Sequence, residues 1–144
     1  MHNASQVLMG TTQSNIKEVT NYVGAYAAGI AVRQKADGTL SITKADGSLV
    51  GVSLGWDLSD TNRNAVARKG LRVPVQLASG FNPVVGAVVE IDDATGLATG
   101  TGTKTATAAT YATGRVGGTG VAGGIAENGG AAVGVALIDF PGGL

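Results

Sequence analysis

Apolar and polar residues alternate along three stretches of this chain. Leu40 and Ile42 are interleaved with Thr39, Ser41 and Thr43; Val50, Val52, Leu54 and Trp56 with Gly51, Ser53 and Gly55; and Leu71, Val73, Val75 and Leu77 with Arg72, Pro74 and Gln76. A period of two is that of a half-buried strand. Two near-identical hexapeptides punctuate the first two stretches, Lys35-Ala36-Asp37-Gly38-Thr39-Leu40 and Lys44-Ala45-Asp46-Gly47-Ser48-Leu49. Asp-Gly suits the central positions of a type I′ turn, where positive φ is cheap for Gly and tolerable for Asp, and whose twist matches the flanking strands. The pattern predicts a β-meander built on these two turns and closed by the strand at 71–77, after a loop rich in Asp, Ser and Asn at 57–64.

Outside these stretches the pattern changes. Residues 1–21 are polar, with one apolar spot at Val7-Leu8-Met9, and read as an extended N-terminal arm; residues 14–19 have room for a single helical turn. The apolar run from Tyr22 to Val32 is interrupted by Gly24 and Gly29 and is too short to cross a bilayer, which takes about 20 residues. Ile30 and Val32 are expected to open the first strand. After a connection at 78–83 the pattern restarts: Gly86-Ala87-Val88-Val89 lies beside Gly29-Ile30-Ala31-Val32, the turn Asp92-Asp93-Ala94-Thr95-Gly96 beside the first Asp-Gly turn, and Val133–Leu137 beside Val73–Leu77. This outlines two related halves, 29–77 and 86–140, through an old duplication or through shared strand-and-turn grammar. The Thr/Ala/Gly tract at 100–114 and the glycine-rich 117–130 predict long mobile loops. The nearly continuous apolar run 132–140, ended by Pro141-Gly142-Gly143, predicts a doubly covered strand. The expected fold is all-β: one domain at 22–144, a compact antiparallel barrel or sandwich of hairpins, preceded by the arm.

Composition then narrows the function. The 144 residues carry ten Lys and Arg against ten Asp and Glu, so there is no overall basic field to gather along nucleic acid, and with no cysteine there is neither a disulfide framework nor a thiolate metal site. The one histidine, His2, sits in the arm, which leaves a Ser-His-Asp relay without a positioned base. Asp92 and Asp93 are adjacent and would point to opposite faces of a strand, which suits turn stabilisation better than a calcium loop. Gly118-Thr119-Gly120-Val121-Ala122-Gly123 matches a dinucleotide fingerprint in letters, but the residues after it cannot sustain the helix that motif requires. Gly100-Thr101-Gly102-Thr103-Lys104-Thr105 departs from a phosphate loop where Thr103 replaces the glycine before lysine. No catalytic residue, cofactor or metal site is assigned. What remains is a candidate interface. Arg63, Arg68, Lys69 and Arg72 form the one local cluster of positive charge, either a solvated face beside Asp57 and Asp60 or a contact for an acidic partner surface. Trp56 is an anchor, in the core or at an interface.

The segments Val52-Ser53-Leu54-Gly55-Trp56-Asp57-Leu58-Ser59, Gly70-Leu71-Arg72-Val73-Pro74-Val75, Gly86-Ala87-Val88-Val89-Glu90-Ile91-Asp92-Asp93 and Val133-Gly134-Val135-Ala136-Leu137 follow one another in a style and order that resembles the β-rich decoration, or cement, proteins of tailed-bacteriophage heads. The resemblance spans about residues 23–140. It implies a structural virion protein, assembled in the host cytoplasm and placed on the outer surface of the capsid. There it would be a homotrimer binding the major capsid protein, with residues 1–21 as an arm across neighbouring capsomers and with no enzymatic activity, nucleic-acid contact or membrane. A small tail or fibre module and a carbohydrate-binding β domain are the alternatives. One Trp and three Tyr provide few of the aromatic platforms that a sugar-binding surface usually presents.

Overall fold

A computed structural model describes residues 15–56, 62–78, 81, 86, 88–100, 105–111, 125–126, 132–133 and 135–144, with residues 15, 56, 105–111, 125–126, 132–133 and 136 described by backbone alone. In chain order the strands are β1 Asn15–Val23, β2 Ala31–Gln34, β3 Leu40–Ser41, β4 Ser48–Trp56, β5 Arg63–Gln76, β6 Val88–Ile91, β7 Ala98–Thr99, β8 Thr105–Tyr111, β9 Ile125–Ala126, β10 Ala132–Val133 and β11 Val135–Phe140; a 3-10 turn at Lys44–Asp46 separates β3 from β4. The fold is all-β. One sheet runs in the order β3-β2-β4-β5-β11-β8-β6-β7, with β1 on β5, while β9 and β10 pair separately. All strand pairs in it are antiparallel.

The sheet is not closed into a barrel; a lone parallel bridge, Leu77 to Ala98, brings β7 back to the residue that follows β5. The folding over is apolar in origin. Ala31, Val52, Ala67, Val73 and Val75 from the first half form one buried cluster with Val89, Ile91, Ala98, Ile138 and Phe140 from the second. Val32, Leu40 and Val66, on the opposite face, are covered by Tyr22, Tyr26, Ile30, Ile42 and Val50. The alternation read in the sequence is therefore that of strands covered on both faces at their centres.

Several expectations are corrected. The first Asp-Gly turn is a type I turn followed by a left-handed glycine, because Gly38 N–H donates to Lys35 O, Lys35 N–H donates to Thr39 O, and of the pair only Gly38 has positive φ, at 88°. The Asp37 carboxylate accepts from Thr39 N–H and Oγ, which holds Asp37 on the negative-φ side. The second Asp-Gly is no I′ turn either: Asp46 ends the 3-10 turn and Gly47 is extended, φ 162°. Nor do β2, β3 and β4 form a meander. Arg33 and Gln34 of β2 face Ser41 and Leu40 on one edge and Leu49 and Ser48 on the other, so β3 and β4 flank β2 and the 3-10 turn carries the chain across between them.

Residues 15–21, assigned to the arm, are most of β1 and pair along β5; their extended form holds, their freedom from the domain does not, and the helical turn at 14–19 gives way to this pairing. Arg63 and Asn64 belong to β5, not to the loop. Thr105–Tyr111, expected in a long loop, is β8, a central strand between β11 and β6. The two segments matched as repeats, 73–77 and 133–137, are neighbours: Val135 faces Gln76 and Leu137 faces Pro74. Residues 1–14, His2, the motif at 118–123 and residues 101–104 lie outside the described residues.

Pro74 sits inside β5 without breaking it. Residues 74 and 76 point their nitrogens to the same edge, and Gln76 N–H donates to Gly29 O, on the side away from β11. The missing N–H of proline therefore leaves the β11 ladder intact.

Candidate functional site

The residues proposed as an interface fall on the flank built by β1 and β5. Arg63, Arg68, Lys69 and Arg72 are all exposed on β5. Glu18 on β1 lies 3.3 Å from Arg68 Nη1 and 3.8 Å from Lys69 Nζ, so two cations share one carboxylate and the group keeps a net positive charge. Such half-exposed pairs hold the sheet together weakly. Arg63 stands opposite Val23, five positions before Arg68, a separation of about 16 Å along a strand. The cluster is a line along β5, not a single patch. Trp56 is in β4 opposite Asn64, and its side chain lies outside the described residues.

Arg72 is held in an unusual conformation. Its φ is 54°, the one positive value at a non-glycine among the described residues. Between the pairs Val73–Ile138 and Gly70–Phe140, β5 has an extra residue relative to β11. That surplus makes a bulge, and the Arg72 N–H that leaves the ladder donates instead to Asp139 Oδ1 at 2.8 Å. The bulge turns the Arg72 side chain to solvent, so its exposure follows from a backbone device.

Under this flank lies a buried polar network that the sequence pattern did not reveal. Asn64 is fully buried; its Oδ1 accepts from Tyr26 N–H, and its Nδ2 donates to Tyr26 O and, at 2.6 Å, to Ser53 Oγ. Ser53 Oγ donates to Tyr26 O and accepts from Gly55 N–H. Gln76 Nε2 donates to Ala28 O at 2.7 Å. These three side chains give hydrogen-bond partners to the backbone of Tyr26 and Ala28, in the segment that runs from β1 to β2 without being a strand. Polar residues on the less apolar faces of predicted strands were the available signal.

On the other side, the 92–96 turn docks on the first half. Arg33, 3% exposed, donates to Gly47 O through Nη1 and meets Asp93 Oδ1 at 3.4 Å through Nη2, while Lys44 N–H donates to Asp93 O. Asp92 Oδ1 accepts from Ala94 and Thr95 N–H, as expected of a turn-stabilising carboxylate. An open groove of about 560 Å³ lies beside it, lined by Arg33, Lys44, Gly47, Leu49 and Leu144. Its charged wall is engaged in holding the two halves together. Among the described residues no three His, Asp or Glu side chains gather in a metal-binding arrangement, and no helix is long and apolar enough to cross a membrane. Comparisons with protein-family models, with curated proteins and with solved structures each return no match to this chain.

Proposed function

We propose that this chain is a structural virion protein, a cement protein that binds the major capsid protein on the outer surface of a tailed-phage head, stabilises capsomer contacts and performs no catalysis. The observation that carries the reading is the β1–β5 flank. It presents Arg63, Arg68, Lys69 and Arg72 along β5, where Glu18 of the paired β1 answers only part of their charge. The segment leading out of β1 is tied to β4 and β5 by the Ser53, Asn64 and Gln76 hydrogen bonds. A surface of several exposed cations suits a protein that works by many modest attachments, whose combined avidity opposes separation of the shell subunits. The surplus of cations suits an acidic patch on the partner. A homotrimer triples the number of attachments without changing any of them.

The test is attachment of purified full-length protein to expanded heads lacking it. Parent protein is expected to bind at saturating, symmetric sites seen by electron microscopy. A charge-reversed variant, Arg63→Glu with Arg72→Glu, is expected to bind at least 10-fold more weakly at an unchanged melting temperature. Parent protein that leaves heads undecorated overturns the function; equal binding by both proteins overturns the role of the flank.

A further inference from the structure

A row of directly opposed residues crosses the first half of the sheet: Ala31 faces Val52, Val52 faces Ala67, and Ala67 faces Val19. The first three are buried, whereas Val19, at the end of the row, is 51% exposed. Four residues on along β1, Val23 is 47% exposed. Among the described residues β1 pairs with β5 and with no other strand, so its second edge carries backbone groups without a ladder.

Natural sheets guard such an edge with lysine, proline or a bulge. β1 has these devices at one end: Lys17 is exposed there, and the register breaks between Ile16, Glu18 and Val19. From Val19 to Val23 the pairing is unbroken, and Val19-Thr20-Asn21-Tyr22-Val23 contains neither charge nor proline. This window also complements itself. Read antiparallel about Asn21, Val19 of one copy falls opposite Val23 of another, Thr20 opposite Tyr22, and Asn21 opposite its equivalent. Directly opposed residues share a face, so valines left in water by a single chain cover each other, and the central Asn amides come within reach of one another. Shifted to place Val19 opposite itself, the same strands set Val23 against Asn15 and Lys17 against Asn21, and half of that apolar cover is lost.

We infer that the free edge of β1 is a two-fold docking edge whose occupant is β1 of a second copy, in the register that centres on Asn21. The contact joins two sheets into one and is isologous. A three-fold axis cannot set a residue opposite its own equivalent, so this contact is independent of any trimer; in a trimeric protein it links copies of different trimers.

Because the chain has no cysteine, single-cysteine variants of the full-length protein read the register directly. Opposed Cα atoms lie about 4.5–5.5 Å apart, within disulfide reach, whereas residues 19 of the two copies are offset by four positions, about 13 Å. Under mild oxidation Asn21→Cys alone is expected to form a covalent dimer of chains. Val19→Cys and Val23→Cys are expected to link poorly alone and efficiently when mixed. The variant Val19→Lys with Val23→Lys, at two exposed positions, is expected to keep the parent melting temperature and lose the two-fold species in sedimentation. The inference is overturned if Asn21→Cys stays unlinked, if Val19→Cys self-links as readily, or if parent protein sediments as a monomer or a bare trimer at high micromolar concentration. Should the lysine variant fail to fold, the cysteine series still decides.

Discussion

Arg72 bears a cost that its neighbours offset. A left-handed conformation at a side-chain-bearing residue costs roughly 1–2 kcal/mol, and the hydrogen bond from Arg72 N–H to Asp139 holds it in place. Arg72→Gly is expected to raise unfolding free energy by up to about 1 kcal/mol, the relieved strain being partly offset by the greater freedom of unfolded glycine, and Asp139→Ala to lower it by about 1 kcal/mol; urea denaturation reads both. Asn64 is the opposite case, a polar side chain paid for entirely by its partners. Asn64→Ala leaves Tyr26 N–H without its acceptor and Ser53 with one fewer donor, and about 3 kcal/mol of stability is expected to go. At the surface, the Thr39 hydroxyl, then the Thr39 N–H, then the charge of Lys35 hold the Asp37 carboxyl below the ordinary aspartate value. A depressed folded pKa contributes stability that is present above the unfolded pKa and lost as pH falls through the folded one, so the Asp37 turn loosens below about pH 4. In a carboxyl NMR titration Thr39→Ala is expected to move the Asp37 midpoint upward; an unmoved midpoint denies the hydroxyl its role.

At the scale of elements, two contacts across long sequence separations decide the shape. One is β1 on β5, which takes the first described strand into the sheet. The other is the 92–96 turn on β2, where Ala31 N–H donates to Gly96 O. Gly96 has φ 73°, and a Cβ there would press on Ala31 O and on the Ile30 side chain more closely than real atoms approach. Gly96→Ala is expected to cost about 2 kcal/mol or more in a thermal melt, while Gly142→Ala, which meets open space, stays within about 0.5 kcal/mol of the parent. In both hexapeptides Asp-Gly signals a reversal, but the carboxylates are recruited by Thr39 and Ser41, and the turn type follows those hydrogen bonds.

For the whole molecule, balanced total charge conceals a local surplus: Arg63 and Arg72 stand along β5 on either side of the two cations that share Glu18. Attachment through that flank is expected to weaken several-fold between 50 and 500 mM salt, since exposed charges beyond a Debye length are screened, and attachment unaffected by salt would assign the contact to apolar groups instead. The period-two runs, the Asp-Gly reversals and the apolar 132–140 segment were enough to read the all-β class and the strands around 40, 50–56, 71–76 and 135–140, because side-chain alternation and turn chemistry are local properties. Residues 105–111 read as a loop because a strand with small Thr and Ala side chains lacks the apolar contrast on which that reading depends. The flanking of β2 by β3 and β4, the enlistment of 15–23 as β1, the clamp by Asn64, Ser53 and Gln76, and the Arg72 bulge were decided by the tertiary structure alone. Each depends on which backbone groups of distant segments are left without a hydrogen bond once the apolar faces have closed, and that is settled in space, not along the chain.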